Sequence, residues 1–402
     1  MKENHPLARA LCAAPAIAGL ACAAWWSVRL ACADLASRAN TVESLARAVA
    51  LDPGNAAYRA WQAELEEHEG RDPTPALTAA AALNPRDSAV WIRLGLQAEL
   101  QGDYPRAERH LLEAARVDRL STPRATLLHY YFRRGDWERF WHWSRPAFEM
   151  SYGDRTPLFQ LCWRATEDAA LILGRAIPPQ PEILAQYLRF LLDQGRLDAA
   201  AAVAQAVSSK AGPAETPLLL AYCDRLLEQG QAAPALEFWN TLCDRKLLPY
   251  PPLDPQNGPL PTNGDFSASP LRQGFDWRVA ALPEVSIVRL DSPPALKFTL
   301  SGKQPERCDL LWQYIPLLPR RSYRLRFRYR TAGLAPDSGI RWRLIDAATP
   351  PLASEDWRDA ELLFPSRDAR LARLALSVER EPGSTRPEGS LWLAGVKIEF
   401  AP

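Results

Sequence analysis

Four arginines at alternate positions, Arg324, Arg326, Arg328 and Arg330, come nearest in this chain to residues whose type and spacing could do chemistry. Tyr323, Leu325, Phe327 and Tyr329 fill the places between them. A period of two sends successive side chains to opposite faces of a strand, so the four guanidinium groups are expected on one face and the apolar set on the other. Guanidinium forks match the paired oxygens of carboxylates. Arg341 and Arg343, on either side of Trp342, are expected beside them on the next strand. These six arginines form the candidate glycan-binding set, suited to an acidic polysaccharide. The plainer alternative is a solvated face whose arginines pair with Asp and Glu of neighbouring strands. Sugar stacking also needs an exposed ring. Trp277, Trp312, Trp342, Trp357 and Trp392 are available, and most of them are expected in the core.

A second cluster lies further upstream. His129, Tyr130, Phe132, Trp137, Trp141 and Trp143 crowd rings into two short segments, and they form the candidate partner-binding set. Rings at helical spacing that cover every direction of a helix must leave some facing outward, where aromatic anchors beside arginine suit protein recognition. The alternative is a core filled by rings where other repeats use Leu.

Catalytic chemistry has little to work with. All five histidines, His5, His68, His110, His129 and His142, precede residue 143, so the C-terminal part cannot build a Ser-His-Asp triad by itself. No glycine-rich phosphate loop and no HExxH occur. The seven cysteines are odd in number and lack CxxC spacing, which gives neither a zinc site nor a disulfide framework; Cys223 and Cys243 could face each other across one helical hairpin. Glu355, Asp356, Asp359 and Glu361 could supply a carboxylate pair for glycoside hydrolysis, although nothing distinguishes them from a solvated loop. The expectation is a protein that is not an enzyme and carries no cofactor.

The elements that position these residues follow from a change of period. Upstream of Leu247, apolar residues recur three and four apart, as in Leu184, Leu188, Leu191 and Leu192. Downstream of Asp265 they alternate. The segment between is too rich in proline to continue either ladder and reads as a semi-rigid spacer. About nine strands are expected, near 276–280, 285–290, 295–300, 309–315, 322–331, 339–346, 357–364, 371–379 and 390–400. The formal net charge of +1, from 48 basic and 47 acidic residues, gives no steering toward nucleic acid.

Near the N-terminus, an uncharged run spans residues 10–28 and ends in Trp25 and Trp26. At about 1.5 Å per residue it nearly spans a hydrocarbon core, and the Trp pair suits a membrane interface. Lys2 and Arg9 before it favour a cytoplasmic N-terminus. A cleaved signal peptide ending near Ala31-Cys32-Ala33 competes, but Arg29 intervenes. A first helix buried in the repeat domain is the other alternative.

Trp91, Leu94, Gly95, Gly102, Ala107, Leu111 and Ala114 resemble the tetratricopeptide repeat, with weaker copies at a spacing of about 34 residues. Gly135, Gly195 and Gly230 take the turn position of later units. Ala200 and Ala235 match the small position of the second helix, whereas Phe140 departs from it, and 155–175 fit no repeat well. The resemblance implies a helical solenoid that binds protein partners. Further on, Thr262-Asn263-Gly264-Asp265-Phe266, Gly274-Phe275-Asp276-Trp277, the run from Leu311 to Leu317 and the run from Leu391 to Ile398 resemble landmarks of the galactose-binding type of jelly roll found in carbohydrate-binding modules. That family often holds a structural calcium ion with acidic residues at two positions that read Ser267 and Ala394-Gly395 here, which leaves the ion in doubt.

The expected organisation is a membrane anchor over 1–38, a tetratricopeptide-like α-solenoid over 39–246, a Pro-rich linker over 247–264 and an antiparallel jelly-roll β-sandwich over 265–402. The whole resembles bacterial repeat proteins associated with exopolysaccharide or O-antigen assembly. It implies a non-catalytic scaffold in the inner membrane, single-pass, with most of the chain periplasmic. Its expected partners are proteins, an acidic polysaccharide and the membrane, but not nucleic acid. A pure protein scaffold whose sandwich is a structural cap is the alternative, and a carboxylate-only glycosidase is a third.

Overall fold

The computed structural model describes residues 6–257, 260–381 and 383–401, with side chains from residue 15 onward. Lys2 and His5 lie outside the described residues, as do residues 258 and 259 of the Pro-rich segment and the side chains of Arg9 and Cys12. Among the described residues, fourteen helices, mostly paired as tetratricopeptide-like hairpins, precede ten strands of an antiparallel sandwich. The chain divides into two compact units, residues 1–178 and 179–402.

The first unit holds α1 (Pro6–Ser37), α2 (Val42–Leu51), α3 (Ala56–His68), α4 (Thr74–Leu83), α5 (Ser88–Leu100), α6 (Tyr104–Val117), α7 (Ser121–Arg134), α8 (Trp137–Met150), α9 (Thr156–Ala165) and α10 (Ala169–Arg175). Most pair with the next as hairpins. The reasons are local. Asp87, Asp103, Asp136 and Asp168 cap the starts of α5, α6, α8 and α10 by accepting from backbone N–H groups of the first turn. Gly102 and Gly135 make the turns at φ 78° and 67°, a left-handed region that costs glycine little. Gly95 on α5 meets α6 so closely that an added Cβ would lie 2.6 Å from Leu111 Cδ2. The short α9 and α10 fall where the sequence departs from the repeat.

The two ends of α1 differ in burial. Ile17, Leu20, Trp25, Trp26 and Val28 are exposed, and the stretch Pro15–Ser37 is long and apolar enough to cross a membrane. Near its end, Ala33 and Ser37 are buried and α1 packs with α2 as the first hairpin.

The second unit begins with α11 (Pro181–Asp193), α12 (Leu197–Ser208), α13 (Thr216–Glu228) and α14 (Ala232–Asp244). Cys223 and Cys243 sit on α13 and α14 as buried free thiols, and burial pushes Cys243 up to about 12. The strands follow: β1 (Arg278–Val279), β2 (Val285–Asp291), β3 (Pro294–Ser301), β4 (Arg307–Pro316), β5 (Ser322–Ala332), β6 (Ile340–Leu344), β7 (Ala347–Ala348), β8 (Arg358–Pro365), β9 (Leu371–Glu379) and β10 (Glu388–Phe400). One sheet runs β2-β3-β10-β5-β8 and the other β1-β4-β9-β6-β7, all antiparallel. The two-residue β7 is the strand that the sequence pattern misses, because two alanines carry no alternation. Between the sheets, Trp342 of β6 lies 5.9 Å from Phe327 of β5 and 6.0 Å from Trp277.

Residues 247–264, expected as a spacer, carry buried side chains at Leu248, Tyr250, Leu253 and Leu260. Tyr250 donates its hydroxyl to Asp276 Oδ2 at 2.9 Å, and the Asn240 amide of α14 exchanges two hydrogen bonds with Leu253 backbone. Trp239 of α14 stacks on Tyr250 and meets Phe275 edge to face. Gly274 presses so closely on Trp239 that a Cβ would lie 2.2 Å from the indole. The Asp224 carboxylate of α13 accepts from Gly274 N and pairs with Arg278 of β1. Within this unit, the last helical hairpin is therefore docked on the opening of the sandwich by rings and a part-buried ion pair.

Two outcomes follow. Gly95→Ala should lower the thermal midpoint, because overpacking of about 1–3 kcal/mol exceeds the roughly 1 kcal/mol that alanine gains in helix propensity; an unchanged or raised midpoint would contradict the close approach. Asp224→Ala should cost about 3 kcal/mol in urea unfolding by stranding the Arg278 guanidinium, with part of the loss recovered when Arg278→Met is added.

Candidate functional site

The exposed face of the sheet β2-β3-β10-β5-β8 is set by alternation along its strands. On β5, Tyr323, Leu325, Phe327 and Tyr329 are buried, while Arg324, Arg326, Arg328 and Arg330 face outward, half-buried or exposed. Register then decides what each arginine meets. Arg330 stands opposite Trp392 of β10, which stands opposite Lys297 of β3. Arg328 stands opposite Asp359 of β8 and Ala394 of β10; Arg326 is flanked by Glu361 and Lys397, and Arg324 by Leu363 and Glu399. A β-bulge between Ala394 and Lys397, with Gly395 at φ 59°, keeps Lys397 and Glu399 on this same face.

The arginines differ in electrostatic environment. Arg326 lies 3.1 Å from Glu399 and 3.8 Å from Glu361, and Arg324 lies 3.7 Å from Glu361. Arg328 and Arg330 have no ion pair among the described residues. They lie over rings instead: Arg330 is 4.4 Å from the Trp392 centroid and 5.9 Å from Trp357, and Arg328 is 5.3 Å from Trp357. Lys297 lies 5.1 Å from Trp392. Trp357 and Trp392 are half-buried, whereas Trp277 and Trp342 are fully buried. A hollow of about 760 Å³ beside β8 is lined in part by Arg326, Tyr329, Arg358, Asp359 and Glu361.

Arg341 and Arg343 correct one expectation. They belong to β6, in the other sheet, so they cannot join the Arg324–Arg330 face. Pairing in an antiparallel sandwich need not follow chain order, and the connection after β5 crosses to the opposite layer. Arg343 pairs there with Glu379 at 2.6 Å.

That second outer face carries rings of its own. Trp312 and Tyr314 of β4 are half-buried on it, edge to face at 5.3 Å. Arg278 lies 4.5 Å from Trp312 and 5.0 Å from Tyr314, and Arg373 lies 4.2 Å from Trp312. The side chain between the two rings, Gln313, is fully buried and donates to Thr262 O at 2.9 Å. A polar Gln suggests an outward position and inward rings. The inward neighbours Leu311 and Ile315 carried the opposite signal.

The aromatic set of the first unit divides. Tyr130 and Trp141 are buried, so these two candidates belong to the core: Tyr130 faces the preceding hairpin, donating its hydroxyl to Tyr104 O at 3.0 Å, and Trp141 meets the buried Phe140 edge to face at 4.8 Å. Phe132 and Trp143 are half-buried, His129 is exposed, and Trp137 is 45% exposed. Phe132 and Trp137 meet at 5.9 Å over the buried Phe140, and Arg164 of α9 lies 5.3 Å above Phe132. Packing around part of its ring, then the nearby Arg133 and Arg164 charges, hold His129 below the usual imidazole range, which favours a neutral ring at pH 7. Beside this patch, Arg133 of α7 grips both Glu99 oxygens of α5 at 2.8 and 2.6 Å, and Arg93 of α5 reaches Glu67 of α3 at 2.9 Å. These pairs tie the first helices of successive hairpins together.

No family model matches the chain, and no curated protein matches it. Among solved structures, a CBM4 module is similar over 35% of this chain and 98% of its own length, at 13% identity and a TM-score of 0.26. YrrB, described as a TPR protein with an unusual peptide-binding site, is similar over 51% of this chain and 94% of its own, at 15% identity and a TM-score of 0.25. Pseudomonas aeruginosa pilF is similar over 54% of this chain and 91% of its own, at 16% identity and a TM-score of 0.26.

Burial separates core rings from surface rings in a measurable way. Trp141→Ala should cost at least about 3 kcal/mol in chemical unfolding, as for a large buried ring, and Trp137→Ala no more than about 1. Equal losses at the two positions would place Trp137 in the core as well.

Proposed function

We propose that this protein is a non-catalytic scaffold of the bacterial cell envelope, in which the helical repeats hold a protein partner and the sandwich holds a glycan. One observation carries the proposal: on the β2-β3-β10-β5-β8 face, unpaired arginines and half-buried indoles converge on a rigid sheet. A sheet surface positions side chains more accurately than a loop does. The Phe132–Trp137 patch with Arg164 above it supports the protein-binding role, since aromatic and arginine anchors dominate interface energetics. The exposed apolar length of α1 supports a single-pass inner-membrane anchor with the remaining chain in the periplasm. Exopolysaccharide or O-antigen assembly is the setting in which such a scaffold would bring a protein and a polysaccharide together.

The docked α13–α14 hairpin favours a second reading, with the sandwich as a structural cap on the repeats. A glycan array probed with the full chain in detergent separates the two. Binding to an envelope-type polysaccharide, lost in the Trp357→Ala plus Trp392→Ala variant with its thermal midpoint kept, is expected of the scaffold. Absence of binding to every neutral and acidic glycan would leave the cap.

A further inference from the structure

We infer that the arginine strand is divided in function, and that only one end of it meets ligand. A carboxylated polysaccharide is held on a ladder of alternating cations and rings formed by Lys297, Trp392, Arg330, Trp357 and Arg328. The inference rests on the glycan-binding role of this face.

Charge balance separates the two ends. Four carboxylates, Asp359, Glu361, Glu388 and Glu399, share this face with six cations, Lys297, Arg324, Arg326, Arg328, Arg330 and Lys397; Glu388 stands at its far margin opposite Ser301, and Asp359 stands opposite Arg328 without closing to an ion pair. Glu361 and Glu399 lie among Arg324 and Arg326, so that end meets its own counter-charge. At the other end, no described carboxylate lies within ion-pair distance of Arg328 or Arg330; a buried Nε without an acceptor is common to Arg324 and Arg330, so the ion-pair distances alone separate the ends. A guanidinium without a partner retains most of its hydrogen-bonding capacity for an incoming anion.

The rings explain how unpaired cations stay so close together. Trp392, on the middle of three adjacent strands, has Lys297 on one side and Arg330 on the other, and Trp357 receives both Arg330 and Arg328. Each indole offers its negative face to a cation and keeps like charges apart. Lys297 and Arg330 are two strand spacings apart, about 10 Å. Indole faces engaged in this way are poor platforms for stacking bases or sugar rings, so recognition falls to charge and hydrogen bonds. Single-stranded nucleic acid, which depends on free ring faces, is a poor match. A polysaccharide bearing periodic carboxylates fits better, because the flanking row of the same face carries the hydroxyls of Ser286, Thr299 and Ser390 for sugar hydroxyls.

The test uses the full chain in detergent and affinity electrophoresis in gels containing polygalacturonate, alginate or hyaluronate. Fully methyl-esterified polygalacturonate and dextran serve as uncharged controls, and poly(dT) as a competitor. The acidic gels should retard the protein and the uncharged ones should not. Arg328→Ala with Arg330→Ala should weaken retardation by about tenfold or more, while Arg324→Ala with Arg326→Ala should change it by less than about threefold. Retention should fall as salt rises. Arg330→Gln, which removes the charge and keeps a polar side chain, should reproduce the loss with an unchanged thermal midpoint, so that misfolding cannot account for it. Equal retardation by the esterified polymer, equal losses from the two arginine pairs, or displacement by poly(dT) at lower concentration than by free polygalacturonate would each overturn the inference. Binding to neutral glycans alone would overturn it and leave the scaffold proposal standing, whereas no binding to any glycan removes both.

Discussion

Phe327 against Trp342 is the contact on which the surface chemistry of the sandwich depends. It joins the two sheets at 5.9 Å, with Trp277 6.0 Å further on. Side chains alternate along a strand, so burying Phe327 commits Arg326 and Arg328 to the opposite face. A slip of one residue would bury four guanidinium groups without partners, at a cost no sandwich of this size could offset. The apolar layer is thus what aims the arginines.

A similar constraint governs the join between helices and strands. Trp239, Tyr250 and Phe275 form a small core of their own, and Gly274 approaches the indole too closely for any other residue. Arg278 then links two settings. Its guanidinium pairs with Asp224 of α13 and lies over Trp312 and Tyr314 of β4. One side chain thus touches both that helical hairpin and the outer face of the β1-β4-β9-β6-β7 sheet.

Much of the architecture could be read from local pattern. Nine of the ten strands and the turn glycines Gly102, Gly135, Gly195 and Gly230 are properties of short stretches, and each appears where the pattern places it. The aromatic cluster was harder. Helical spacing shows that rings surround α7 and α8, but it does not say which side the neighbouring hairpin covers, so Tyr130 and Trp141 could not be told from Trp137. The Pro-rich segment was similar: its prolines exclude a helix or central strand, yet they say nothing about Tyr250 reaching Asp276.

By itself, the sequence determined that one strand presents four arginines on one side and four apolar residues on the other, because alternation is a property of a single extended segment. Only the tertiary structure decided what those arginines meet. Cross-strand register brought Trp392, Lys297, Glu399, Glu361 and Trp357 to them from distant parts of the chain, and it sent Arg341 and Arg343 to the other sheet. That register is set by which apolar faces close on one another across the sandwich, a long-range packing result that no local pattern contains. The division of the strand into a self-neutralised end and an unpaired end exists only at that level.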